Sequence, residues 1–436
     1  MTVTQRTAVI RPRDPLIART ARPFNAEPGA LAETLPWPLP MTTAGAVRSH
    51  LASIAPSFTD WADPEMTRQA KQTSVCGPLL LVRLTPDAAW TAYLPAPADA
   101  LAPDDADTGV NAEVWVVGAR PVDETWWQAA QEKGMGCNLP VAKLVPVLAP
   151  GTIKGRPVQG FWSLTDTIDW LASATGDHLL ASTVPQLPID IRTHVAIDNA
   201  RQTNVDGLLF STSGLVFHDA PRLGSTFAGR DTDAAPALAI GCRVKSAARD
   251  WVKTPAVIPL GGERRQATIE FPERAHDPWP RLAPDHELGL AIAATTRLRL
   301  QLVTPAVFRQ PSVDHGETPP PSDLAWLPGW IDAETLTGLP DGLADLAPLR
   351  FRLIAAALGR RQAVSGWSMR RGKGRATRYA VPAGSVYFFA LEGGSLAAAA
   401  VKRLWLRSIA DDPQDRQDGF GLVLPGIWQP TDETAR

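Results

Sequence analysis

RFRLIAAALGRRQAVSGWSMRRGKGRATRYAVPAGSVYFFAL, Arg350 to Leu391, carries nine basic residues (Arg350, Arg352, Arg360, Arg361, Arg370, Arg371, Lys373, Arg375 and Arg378) and no acidic one. The 436-residue chain as a whole is near neutral, with 43 Lys and Arg against 45 Asp and Glu. Positive charge is therefore concentrated here, as a polyanion-binding surface requires. Leu349 to Leu358 reads as a helix, with Gly359 placed as its C-cap neighbour. A glycine-punctuated basic loop, a short strand near Ala363 to Trp367 and a longer apolar strand near Ser385 to Leu391 follow. The ordinary alternative is a solvated loop whose arginines only aid solubility.

Working outward, Leu298, Leu300 and Leu302 alternate with Arg297, Arg299 and Gln301, the pattern of a half-buried strand. Downstream lie a helix from about Leu396 to Leu406 and a terminal strand at Phe420 to Leu424. The order is β-α-β-β-α-β, the split ferredoxin-like arrangement whose sheet supports several RNA-binding modules. The first half reads as a heavily inserted version of the same plan. The expected fold is α+β, with two tandem ferredoxin-like (RRM-like) domains carrying long inserted loops and hairpins. The N-terminal domain, with its large insertions, takes residues 1–285 and the C-terminal one residues 286–436.

In the first half, Thr7 to Pro12 alternates as a strand, and a long loop with Arg19 and Arg22 leads to the proline-rich LPWPLP. Thr42 or Thr43 can cap a helix there, with Ala46, Val47, His50, Leu51 and Ile54 as its apolar stripe. Ala55 to Pro78 reads mostly as loop. Strands are expected at Leu79 to Leu84 and Glu113 to Val117, around an acidic surface insertion. Helices are expected from Asp123, with Trp126 and Trp127, and over Ser163 to Ala174. Lys154 and Arg156 flank Gly155 without the spacing of a nucleotide-binding P-loop.

The middle stretch IDIRTHVAIDNARQTNVDGLLFST predicts a strand over Ile189 to Ile197, a polar excursion and a second strand at Leu208 to Phe210. Arg192, His194 and Arg201 can then face one groove, although a cross-strand hydrogen bond accounts for the histidine equally well. In LGGERRQATIEF, a glycine-permitted turn can offer backbone amides, Arg264 and Arg265 to phosphate. A tight hairpin with Glu263 paired to an arginine is the competing arrangement.

Hydrophobic content of 44% and charge of 20% place the chain among globular proteins. Its 41 prolines and 33 glycines imply long irregular connections suited to recognition. Cys76, Cys137 and Cys242 stand apart in sequence and offer neither a metal-ligand spacing nor a disulfide framework. With no signal core and no membrane-length apolar run, a soluble cytoplasmic protein is expected. No HExxH occurs, and neither a metal nor another cofactor is expected. A metal-independent ribonuclease needs only a placed acid or base, which leaves His194 and Asp198 open. Trp367 and Phe217 are candidates for base stacking.

Several blocks together resemble the RAMP proteins of CRISPR effector complexes. The match is to the Cmr-module subunit that caps the 5′-tag end of the guide RNA in type III-B systems. The blocks are DPLIARTARPF (14–24), PLPMTTAGAVR (38–48), RTHVAIDNARQTNVDGLLFST (192–212), GGERR (261–265), SGWSM (365–369) and VPAGSVYFF (381–389). The GFG at Gly419 to Gly421 resembles the glycine-rich loop that closes RAMP domains. One departure is visible: Ala18, Arg19, Thr20 and Ala21 stand where the family commonly has Phe-Arg-Asp-Gly.

The resemblance implies a non-catalytic subunit that holds the tag, contacts the large polymerase-like subunit and the first backbone subunit, and serves an assembly that engages target RNA. By motif it implies RNA contacts at Arg22, Thr43 and Arg48, at Arg192, His194 and Arg201, and at Gly262, Arg264 and Arg265. The charge pattern adds Lys154, Arg156, Arg370, Arg371 and Lys373. Two other functions stay open on the residues alone: repeat-RNA processing by a ribonuclease, and a protein–protein adaptor.

Overall fold

Strand pairing, not helix propensity, decides Arg350–Ala357. Phe351, Leu353 and Ala355 are buried, and the segment pairs antiparallel with Val386–Glu392, Leu353 opposite Phe389. The Leu-Ile-Ala-Ala-Ala run favours a helix locally, but propensity differences of less than about 1 kcal/mol per residue yield to cross-strand packing and a satisfied ladder. The helix expected over Leu349–Leu358 is a strand. The strand expected near Ala363 to Trp367 is one arm of a separate ribbon.

The computed structural model describes residues 4–20, 30–55, 60–61, 63–103, 114–137, 141, 143–150, 154–217, 236–246, 255–283, 285–310, 323–368 and 373–431, with backbone only for 206–208, 367–368 and 373. The elements that place the site are β1 (Thr4–Pro12), α1 (Pro40–Ser53), β2 (Ser74–Arg83), β3 (Ile189–Asp198), β4 (Thr203–Leu215), β5 (Ala237–Ser246), β6 (Ala256–Pro259) and β7 (Gln266–Glu270). They continue with β8 (Arg297–Leu302), β9 (Arg350–Ala357), β10 (Gln362–Val364), β11 (Arg378–Ala380), β12 (Val386–Glu392), α2 (Ala398–Leu404), α3 (Pro413–Asp418) and β13 (Leu422–Ile427). The protein is mixed α+β with several sheets.

Two of these sheets share one order. In the first, neighbours run β2-β5-β1-β7, with β6 outside β7 and three short strands beyond β2. In the second they run β9-β12-β8-β13. Numbering the four long strands of each sheet along the chain gives 2-3-1-4 in both, all pairs antiparallel. A helix links the first strand to the second in one sheet (α1) and the third to the fourth in the other (α2).

Between β2 and β5 lies the large insertion. It builds a four-stranded sheet ordered His178–Leu180, Val114–Gly118, Ala100–Pro103, Gly155–Pro157, and the long β3–β4 ribbon. Three helices among the described residues fall in stretches where the sequence showed none: Pro64–Lys71, capped by Asp63, Glu287–Ala293 and α3, capped by Asp412. Helix α1 begins earlier than its threonines suggested. Leu39 is the N-cap and Pro40 the first helical residue, a position that needs no amide hydrogen.

The two sheets are joined by a shared interior. Leu79, Leu94 and Leu171 of the first half pack in one cluster with Leu298, Leu300, Phe351 and Phe389 of the second. At its edge Arg299 and Asp99 form an ion pair at 2.7 Å, 2% and 0% exposed. The Trp170 indole donates to the same carboxylate at 3.2 Å and lies under the guanidinium. A buried charge is stable only when paired and hydrogen-bonded in this way. Among the described residues no helix is long and apolar enough to cross a membrane.

Candidate nucleic-acid interface

The segment between β1 and α1 is the seat on which four of the motif blocks meet. Asp14 accepts from the Gln266 amide at 2.9 Å. Leu16 exchanges backbone hydrogen bonds with Leu215 of β4, both at 2.8 Å, and Ile17 O accepts from Gly262 N at 2.8 Å. Farther on, Thr34 N donates to Ser213 Oγ at 2.8 Å, and Leu31–Ala32 adds a short parallel strand to β4. Gly214 belongs here because a Cβ on it would lie 2.8 Å from Pro15 Cβ. From the other half of the chain, a Cβ on Gly366 would meet the Met41 methyl at 2.5 Å. Val364 and Ala380 share a cluster with Ala18, Leu35, Leu39 and Phe420.

The glycine turn closes the β6–β7 hairpin. Glu263 and Arg264 have φ of 56° and 51°, and Arg265 N donates to Gly262 O at 3.3 Å. Two consecutive left-handed residues inside such a hydrogen bond are the primed turn that matches the twist of a hairpin. Glu263 pairs with Arg265 at 2.9 Å, so the tight-hairpin arrangement holds. Arg264 is left exposed, with no carboxylate partner among the described residues. Beside it, Arg19 is also exposed, and a Cβ on Gly262 would lie 3.2 Å from Arg19 Nε. The missing side chain lets that guanidinium lie across the turn.

On the β3–β4 ribbon, Arg192 and His194 alternate onto one face, whereas Arg201 sits in the turn at the far end. They are strung along the ribbon rather than gathered round a groove. Arg192 bonds Asp190 at 2.7 Å. His194 stacks on Phe210, centroids 5.2 Å apart, with Nε2 at 2.9 Å from Thr212 Oγ1. Asp198 accepts from the Ala200 amide at 2.9 Å and lies 3.8 Å from Arg201. Both candidate proton-transfer groups thus have local structural partners. The opposite face is aliphatic, with Ile189, Ile191, Val195 and Leu209 all exposed.

Other expected contacts are internal. Thr43 is fully buried and donates to Pro40 O at 3.0 Å. Its neighbour Cys242 has its thiol pushed up to about 12 by burial. Arg48 is buried as well. Its guanidinium donates to Thr73 O at 2.9 Å and Gln417 O at 3.1 Å and pairs with Asp418, so it ties α1 to α3 instead of facing a ligand. Phe217 is 4% exposed and packs beside Trp37 in the core, not at a stacking surface. Lys154 and Arg156 are exposed on the insertion sheet.

The basic stretch divides three ways. Arg352 pairs with Glu124 and Glu392, and Arg378 is buried against Asp415. Arg360 and Arg361 are exposed and Arg375 is half-buried on the β10–β11 ribbon. Lys373 is described by its backbone alone, paired with Ser368. Arg22, Arg370 and Arg371 lie outside the described residues. The sequence reading passed over Tyr379, whose ring is exposed beneath Arg361 at 4.5 Å. Its signal was the alternation of Arg378, Tyr379 and Ala380 on a short strand.

Residues 8–428 match the family model of the CRISPR-associated protein (Cas_Cmr3). The chain belongs to this family. The match runs from within β1 past the end of β13, so every block seated on the β1–α1 segment falls inside the Cas_Cmr3 region. Among solved structures, the chain is similar to one in "Cryo-EM structure of the Type III-B Cmr-beta bound to cognate target RNA and AMPPnP, state 1". That likeness has 12% identity and a TM-score of 0.36, covering 88% of this chain and 86% of the other. A second, "Cryo-EM structure of the Type III-B Cmr-beta bound to cognate target RNA", has 14% identity with the same TM-score and coverage. No curated protein is matched.

Proposed function

We propose that this chain is the non-catalytic RNA-binding subunit of a type III-B CRISPR effector, working in the cytoplasm, where it caps and anchors the 5′ repeat-derived tag of the guide RNA. One observation carries the reading: Arg19, the Arg264 turn, the β3–β4 ribbon and the basic β10–β11 ribbon are all rooted on the segment between β1 and α1. Basic groups held on hairpins around one rigid seat suit a single-stranded phosphate backbone, which needs charge in register more than a deep pocket. The RNA-facing set is Arg19, Arg22, Arg192, His194, Arg201, Gly262, Arg264, Arg265, Arg370, Arg371 and Lys373, with Lys154 and Arg156 on the insertion. Thr43 and Arg48 support it from within. The strand order 2-3-1-4 in both sheets is the ferredoxin-like order, and supports a RAMP plan of two tandem domains, residues 1–285 and 286–436. The subunit bridges the large polymerase-like subunit and the first backbone subunit of an assembly that engages target RNA.

The test is a footprint of the guide RNA in the assembled complex, with a salt titration of retention. Protection of the 5′ tag by this subunit, with affinity falling as salt rises, is expected because phosphate contacts release counterions. An unprotected tag, or tag cleavage lost in His194→Ala, overturns the assignment. A second reading, a protein adaptor, is favoured by the uncharged aliphatic face of the β3–β4 ribbon, since isolated phosphates gain nothing from exposed Ile189, Ile191, Val195 and Leu209. Both roles fit one ribbon with two faces.

A further inference from the structure

We infer that Tyr379 is a stacking seat for one unpaired RNA base, with Arg361 as its cationic neighbour. The inference rests on the RNA-binding reading of this face and assigns it a specific contact. Among the described residues the exposed large aromatics are Trp115 and Tyr379, the latter 41% exposed, and Tyr379 is the one that stands on the basic ribbon. Its flanking residues Arg378 and Ala380 are buried at 4% and 1%, so the strand is anchored on one face and presents the ring on the other.

The backbone beneath the ring is held unusually firmly for a ribbon. The Gln310 side chain accepts from Tyr379 N and donates to Tyr379 O, each at 2.9 Å. Arg378 donates to Gln310 O at 3.3 Å and is itself fixed by Asp415. A ring mounted this way loses little conformational freedom when something stacks on it. Directly across the ribbon is Ala363, the smallest side chain available to a paired position, so no bulky cross-strand neighbour covers the tyrosine. Arg361, two residues earlier on the same face, places its guanidinium carbon 4.5 Å from the ring centroid. Exposed Arg360 and half-buried Arg375 add positive charge to the same ribbon.

An exposed aromatic ring, a planar cation lying over it and further arginines nearby match a nucleobase with its flanking phosphates. An apolar protein surface would match the ring alone and leave the arginines to be desolvated. Stacking is tolerant of base identity, so the seat fixes the path of the strand rather than its sequence.

The test uses the full chain with a single-stranded RNA of guide length carrying 5-iodouridine at one position at a time. Irradiation is expected to cross-link one position to the Tyr379 peptide. Tyr379→Ala is expected to weaken binding roughly 5- to 100-fold, whereas Tyr379→Phe binds like the unaltered protein. With an abasic site at the cross-linked position, the difference between Tyr379→Ala and the unaltered protein is expected to vanish. Unchanged affinity in a folded Tyr379→Ala protein that still binds RNA overturns the inference while leaving the RNA-binding reading intact. Loss of a protein subunit from the complex with unchanged RNA affinity also overturns it. Absence of RNA binding by the unaltered protein, alone and in the complex, overturns the RNA-binding reading itself.

Discussion

Arg378 and Asp415 meet in a buried bidentate pair, Nη1 to Oδ2 at 2.6 Å and Nη2 to Oδ1 at 2.8 Å. The pair fastens the basic ribbon to α3, whose end runs into the Gly419–Gly421 loop. Burial holds the Asp415 carboxyl above the usual carboxylate range, with Arg378 pulling the other way. Arg378→Ala removes the opposing pull and strands the carboxylate, at a cost of about 3–5 kcal/mol at neutral pH.

The pH dependence of that cost follows from linkage. In Arg378→Ala the folded-state pKa of Asp415 rises further above its unfolded value. The stability this group contributes is then fully present below the unfolded pKa and is lost as pH rises through the folded one. The deficit of the variant is therefore largest near pH 7 and shrinks on acidification. Urea midpoints at about pH 7 and about pH 5 measure this; equal deficits at both would show that Asp415 is not the group responsible.

How far the sequence could be read depends on which residues are in question. Alternation marked the strand at Leu298–Leu302, and a continuous apolar run the one at Ser385–Leu391, to within a residue of β8 and β12, although both strands bury both of their faces. The same rule failed at β9, where alanines hide the alternation and helix propensity is the louder local signal. The blocks that meet at the interface were visible one by one, yet their meeting depends on contacts such as Ile17 with Gly262 and Met41 with Gly366, which only the tertiary structure supplies. Arg48 and Arg378 look like any surface arginine in sequence. Their acidic partners lie 370 and 37 residues away, so no local pattern separates them from Arg264.

Arg299 and Asp99 offer a sharper case, because both are almost wholly withdrawn from water. Asp99→Asn or Arg299→Met alone is expected to lower stability by about 3–5 kcal/mol by leaving one buried group without its counter-ion. The double variant is expected to be less destabilised than the sum of the two, since the remaining charge is gone as well. Thermal unfolding of the four proteins decides it; additive losses would mean that the two residues act independently.

Gly419 marks a close backbone approach of the two halves. Its φ is +94°, and a Cβ there would fall 2.6 Å from Gly77 O and 2.8 Å from Val75 O of β2. Gly419→Ala therefore combines a left-handed alanine with a backbone clash that no rotamer relieves, and about 1–3 kcal/mol of destabilisation is expected. Faster proteolysis near Gly77 and Gly419 than elsewhere would locate the damage at this contact. A variant as resistant as the unaltered protein would mean that the α3 loop can shift without loosening β2.

Arg264 separates the functional reading from the structural ones. It is exposed at the summit of a hairpin turn, while its neighbour Arg265 is paired with Glu263 at 2.9 Å. Arg264→Glu should leave the melting temperature nearly unchanged, as is usual for surface substitutions. It should nevertheless weaken guide-RNA binding for all sequences alike and reduce the slope of log affinity against log salt by about one. Arg265→Glu sets two carboxylates beside each other and is expected to disturb the turn as well, lowering stability together with binding. Equilibrium binding at several salt concentrations, run beside thermal melts, tells the two apart. If Arg264→Glu keeps both affinity and salt slope, the turn is not on the RNA path, and Arg264 serves another partner or none.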